Sequence, residues 1–208
     1  MSKVGGQGEF GELVKDTHTF VALDAQSRSV FNLEKRLPAQ VFQKTIGTYY
    51  AFEYSLIFSN DFATFLSSIA SQFKDKTIHY MTLEPGPEYY YNHYGFFGLA
   101  SFVPAELQTR YVKTMTRNGA ADSFKARGGD ICVFWGSSLA WGIFCDRISW
   151  ELCVMGIAGS NQLSIPHNVP LMDLNNVGGY VSAAYHWKPS VASEFERDFN
   201  RTYLHKQE

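Results

Sequence analysis

Hydrophobic positions in this chain change period several times, and each change marks an element. From 60 to 73, "NDFATFLSSIASQF" puts Phe62, Phe65, Leu66, Ile69 and Phe73 on one helical stripe, with Ser59 or Asn60 as cap. From 104 to 119, "PAELQTRYVKTMTRNG" opens on Pro and an acid and closes on Arg, Asn and Gly; its stripe is Leu107, Tyr111 and Met115. From 189 to 204 the same pattern returns with Val191, Phe195, Phe199 and Tyr203. A shorter helix is expected from Pro38 to Ile46, closed by Gly47.

Other stretches carry strand signals. "HTFVAL" (18–23), "TYYAFEYSLIF" (48–58) and "TIHYMTL" (77–83) are rich in β-branched and aromatic residues. Residues 130–156 read "DICVFW", "LAWGIFC" and "WELCVMG" between short polar breaks, which predicts an antiparallel meander. Gly142 inside the second run points to a bulge or a close neighbour, such as a ring from the next strand. The fold class expected is α+β: a mainly antiparallel sheet that includes this meander, with about three helices packed on one face. The domain reading is a flexible Gly-rich tail over 1–17 and a single α+β domain over 18–208.

Composition narrows the function. The chain has 208 residues, 45% hydrophobic and 18% charged, enough apolar material for a sizeable core. Its net charge of −2 and lack of a basic run remove the electrostatic footprint of a nucleic-acid binder. No apolar run is long enough for a membrane span, and the N-terminus has no signal-like apolar stretch, so the expected location is the cytoplasm. The three cysteines, Cys132, Cys145 and Cys153, lie in apolar surroundings without chelating spacing and read as buried free thiols. The six histidines form no ligand motif, and there is no phosphate loop, so neither metal nor cofactor is expected.

The most unusual stretch is "EPGPEYYYNHYGFFG" (84–98), with six Tyr or Phe rings inside nine residues. As a contact surface it offers Tyr89, Tyr90, Tyr91, Asn92, Tyr94 and Phe96, rings that give large rigid contact area at low entropic cost. On that reading Tyr90 and Tyr91 both serve affinity rather than folding. As a catalytic site it offers His93 with Glu84 or Glu88 as an acid–base pair. As plain structure it is an aromatic edge strand, to which Pro85 and Pro87 are suited. Asp146 and Arg147 form a second candidate binding pair, against a bland reading in which Asp146 makes a turn and Arg147 pairs with Glu151. The polar run 159–187 reads as a long loop, in which Asn161, Gln162, His167, Asn168, Asp173, Asn175 and Asn176 read first as solvated turn residues and alternatively as donors to a ligand or partner.

Within 130–156, the Trp-Gly, Trp-Gly-Ile, Asp-Arg and Trp-Glu-Leu elements of "FWGSSLAWGIFCDRISWELCVMG" resemble small uncharacterised bacterial proteins of the polymorphic-toxin immunity type. The resemblance implies a cytoplasmic inhibitor that binds a toxin domain, and it assigns no residue a role. The leading expectation is therefore stoichiometric binding of a protein partner. The alternatives are a small-molecule hydrolase-like enzyme built on His93, and a homo-oligomeric structural component whose surface rings meet in self-contacts.

Overall fold

The computed structural model describes residues 12–43, 46–115, 130–159, 163–164, 169–185 and 188–204. Eight strands form one sheet: β1 (Glu12–Leu13), β2 (Ile46–Glu53), β3 (Ile78–Glu84), β4 (Leu99–Phe102), β5 (Ile131–Gly136), β6 (Trp141–Asp146), β7 (Leu152–Ala158) and β8 (Leu171–Met172). Their order is β1-β4-β3-β5-β6-β7-β2-β8 and every pairing is antiparallel. The meander β5–β6–β7 forms the centre, and all but one of its strand positions are buried. The α+β class is as expected. Among the described residues, no helix is long and apolar enough to cross a membrane.

Among the described residues six helices, rather than about three, accompany the sheet: α1 (Thr17–Val30), α2 (Asn60–Phe73), α3 (Pro87–Tyr94), α4 (Leu107–Met115), α5 (Val177–Tyr185) and α6 (Pro189–Tyr203). They cover both faces, not one. Phe62, Phe65, Leu66 and Ile69 of α2, with Leu107 and Tyr111 of α4 and Tyr90 of α3, pack on Tyr80, Phe134, Ile143 and Met155. Phe20, Leu23 and Val30 of α1, with Val177 and Val181 of α5 and Phe195 and Phe199 of α6, pack on Met81, Val133, Phe144 and Val154. Buried alternate residues on both sides explain why the central strands read as continuous apolar runs.

The helices over 60–73 and 189–204 form as their stripes predict. Ser59 caps α2 by accepting the Phe62 N–H at 3.1 Å. The third predicted helix begins as a 3-10 turn over Pro104–Glu106 and continues as α4; its last expected residues, 116–119, lie outside the described residues.

Five further expectations fail. The supposed strand 18–23 is part of α1: Asp16 accepts the Thr19 N–H at 2.7 Å, and Phe20, Leu23, Ser27 and Val30 fall on one buried helical face. Structure also begins within the expected tail, because Glu12–Leu13 pairs with β4. β2 stops at Glu53, where Tyr54–Phe58 tighten into a 3-10 turn. The short helix expected at 38–46 is absent from its described residues: the chain doubles back after α1, and Asn32 and Gln43 donate to the carbonyls of Val41 and Val30. The polar run 159–187 holds β8 and α5. Val177 and Val181 bury one side of α5, and Gly178 lets it approach α6, where a Cβ would lie 2.5 Å from Glu196 Cβ.

Two polar ties lock the layers. Asp75, just after α2, accepts the Ser138 N–H at 2.5 Å and the Trp141 indole N–H at 2.7 Å. Gly142 does have a ring as its close neighbour, but from the helical layer: a Cβ there would lie 2.5 Å from Phe31 and 2.8 Å from Val30, at the end of α1.

Candidate functional site

The aromatic stretch 84–98 is built around a helix with defined ends, α3 (Pro87–Tyr94), and is not an edge strand. Pro87 occupies its first turn with Glu88, and Gly95 closes it in the left-handed region at φ 75°. The helix deals its four tyrosine rings to different sides, and Phe96 and Phe97 follow its Gly95 cap. Tyr90 is inward and 1% exposed, among Tyr89, Tyr94 and Phe96, and burial pushes its hydroxyl well above the ordinary tyrosine range. Tyr89, Tyr94 and Phe96 are half-buried against the same core. Glu88, Tyr91 and Asn92 are exposed, at offsets of zero, three and four, and so share the outward face.

Tyr91 is 41% exposed yet held in place. Its ring stacks on Phe97 at 4.4 Å and 15°, and Phe97 stacks on Phe20 of α1 at 4.0 Å and 3°. Beside Phe20, Val21 is 59% exposed. The result is a three-ring column rising from the core to the surface between α1 and α3.

Next to the column runs a groove of about 220 Å³. Leu33, Met81, Leu83 and Pro87 supply its apolar lining; Asp24, Arg28, Glu34, Arg36 and Glu88 supply its charges. Arg28 bonds Asp24 at 2.8 Å, and Asp24, then Glu34 and Glu88, raise its pKa further. Arg36 reaches Glu84 through Nη2 at 2.6 Å and Nε at 3.0 Å, and its Nη1 donates to the Leu33 and Lys35 carbonyls. With Glu84 counted, four carboxylates face two guanidinium groups, so the groove carries an excess of negative charge.

The proposed acid–base partners are engaged elsewhere. His93 is exposed; its Nδ1 hydrogen-bonds the Tyr89 carbonyl at 2.7 Å, and the ring lies 4.2 Å from Tyr89. Glu84 belongs to Arg36, and Glu88 stands at the other end of α3. Glu88 and His93 are five residues apart on a helix, hence on different sides.

Asp146 and Arg147 part company. Asp146 is fully buried: one oxygen accepts the Ser149 N–H at 2.9 Å, while Oδ2 is buried without a hydrogen-bond partner. Burial pushes this carboxyl up to about 6, opposed by the Ser149 amide and the Arg36 charge and reinforced by Glu84. Arg147 is exposed and stands 3.8 Å from Asp130, not in the expected pair with Glu151. Asp146 is thus a turn former, but not a solvated one.

Among the polar residues of 159–187, Asp173 accepts the Asn175 N–H at 2.9 Å to start a 3-10 turn; Asn161, Gln162, His167 and Asn168 lie outside the described residues. His79, in β3, is a satisfied core histidine between the Thr77 and Ser101 hydroxyls at 3.1 and 2.8 Å, and burial lowers its pKa to about 4. Among the described residues, no group of three or more His, Cys, Asp or Glu could hold a metal ion.

The groove residues Asp24, Arg28, Glu34 and Arg36, and the column ring Phe20, carry no local motif that marks them as a site, whereas Phe97 lies in the ring-rich stretch. The caps of α3, by contrast, stand in the sequence as Pro87-Glu88 and Gly95. No family model matches this chain, and neither a curated protein nor a solved structure matches it.

Proposed function

We propose that this protein acts by stoichiometric binding of a protein partner, through the surface shared by α1 and the outward face of α3, in the manner of an immunity-type inhibitor of a bacterial toxin domain. The observation that carries this reading is the Phe20–Phe97–Tyr91 column. An exposed aromatic ring is an effective anchor when its rotamer is already fixed, because little side-chain entropy is lost on binding. The adjoining groove selects the partner by charge: its negative excess suits a lysine or arginine presented beside an apolar residue that covers Tyr91. The toxin-domain partner comes from the resemblance of residues 130–156.

The test is capture of the partner from the host, followed by binding of the purified pair. Tyr91→Ala is expected to leave the melting temperature nearly unchanged and to weaken binding by about 2 kcal/mol, some thirtyfold. Glu88→Arg is expected to slow association and to reduce its salt dependence. A partner whose affinity ignores both changes, or no partner in a 1:1 complex, overturns the proposal.

A further inference from the structure

The three cysteines form a row across the centre of the sheet. Cys132 of β5 is directly opposite Cys145 of β6, and Cys145 is directly opposite Cys153 of β7. All three belong to the core on the α2 side, and all are free thiols with no solvent exposure. Cys145 has a thiol neighbour on each side.

The hydrogen-bond ladder distinguishes the two neighbours. Opposed residues in an antiparallel pair alternate between hydrogen-bonded positions, with Cα atoms about 5.5 Å apart, and non-hydrogen-bonded positions, at about 4.5 Å with the side chains closer. Arg147 N–H donates to the Asp130 carbonyl at 2.7 Å, extending the β5–β6 register by one pair. Counting back two residues makes Cys132–Cys145 a hydrogen-bonded pair. Ala158 N–H donates to the Ala140 carbonyl at 2.8 Å, extending the β6–β7 register. Counting from there, Gly142–Gly156 and Phe144–Val154 are hydrogen-bonded, so Cys145–Cys153 is not. The two results agree, since a strand residue points its N–H and C=O to the same side. A disulfide needs Cβ atoms about 3.5–4.5 Å apart, a spacing that the non-hydrogen-bonded position approaches and the other exceeds.

We propose that Cys145 and Cys153 are the disulfide-forming pair of this protein: folding in the presence of a small-molecule disulfide joins them and leaves Cys132 as the free thiol. In the first step the thiolate of one, Cys145 for instance, attacks a sulfur of the small disulfide, whose S–S bond breaks to release one small thiolate. The Cys153 thiolate then attacks the Cys145 sulfur of the mixed disulfide. The Cys145–Cys153 bond forms and the second small thiolate leaves. Two protein thiols are oxidised, one disulfide is reduced to two thiols, and the protons pass to the released thiolates and solvent. Once the reduced chain has folded, complete burial shields the pair, and burial also holds both thiols in their protonated, unreactive form. The pair is therefore set during folding and afterwards keeps the redox state in which it folded.

The experiment refolds the reduced, denatured full chain in a mixture of oxidised and reduced glutathione, quenches with an alkylating agent and maps the linkages by mass spectrometry. Cys145–Cys153 is expected to exceed Cys132–Cys145 by at least about tenfold, because a bridge at the wider hydrogen-bonded position is strained. Cys132 is expected to be alkylated. Cys132→Ala should keep the disulfide. Cys153→Ala should leave Cys145 alkylated or glutathionylated, not bridged to Cys132. Equal amounts of the two linkages, a dominant Cys132–Cys145 bridge in either chain, or three alkylated thiols after refolding overturns the proposal. Circular dichroism of each refolded chain confirms that the products compared are folded, and wild type alone decides the matter if a variant is not.

Discussion

Burial assigns residues of the same type opposite work. Tyr90 and Tyr91 are neighbours in the sequence, but one is 1% and the other 41% exposed. The expectation that both serve affinity therefore holds only as a proposal for Tyr91. Tyr90→Ala should cost about 3–5 kcal/mol in urea unfolding, as other buried aromatic truncations do; a loss below 1 kcal/mol would mean the ring is dispensable to the core. Asp146 makes a prediction with a definite sign. Its folded carboxyl is raised to about 6 from an ordinary 3.8, so the protonated form is the one the fold favours. Its contribution is fully present below pH 4 and is lost as pH rises through 6. By linkage the loss is about 3 kcal/mol. Asp146→Asn removes the titration, so its stability relative to wild type should improve by that order between pH 4 and pH 8. A difference that is flat across this range would refute the raised value.

At the scale of elements, helix ends are set by local chemistry and helix faces by what lies beneath them. α2 closes on Lys74 at φ 56°, a left-handed position that glycine adopts without penalty. Lys74→Gly should stabilise the protein by about 0.5–1 kcal/mol, read as an upward shift of the thermal midpoint. The interior of the same helix is intolerant: Phe65 and Ile69 are fully buried, and either change to Ala should cost about 2–5 kcal/mol. α3 shows the two effects together. Its caps define where it starts and stops, while the core beneath Tyr90 decides which of its rings remain for a partner.

The whole molecule is three layers, and α1 meets the sheet at a close contact. Gly142 sits on the central strand with Phe31 and Val30 pressed against it from the end of α1. Gly142→Ala must push that helix end away from the sheet and should destabilise by about 1–3 kcal/mol. Unfolding midpoints with an unchanged denaturant slope would show that the damage is confined to packing. The groove and ring column depend on the same layering, since α1 supplies Asp24, Arg28 and Phe20 while β3 and α3 supply the opposite wall.

The sequence by itself determined the elements whose information is local. The stripe and cap of α2, the Pro-led α6, the meander with its polar breaks and the apolar setting of the cysteines were all legible, because each follows from period, cap or turn chemistry within a few residues. The ends of α3 were present in the same form, but the density of rings made a strand or loop look equally good. Tertiary structure decided what those elements face. Period shows that one side of an element is buried; it does not say against what. Hence residues 18–23 carry strand signals yet belong to α1, the helical stripes do not say that both faces of the sheet are covered, and Asp146 reads as a turn former without any sign that the packed layers bury it. The candidate site is of this second kind: Arg36 and Glu84 are 48 residues apart, and only the pairing of strands and the seating of α1 against them makes them neighbours.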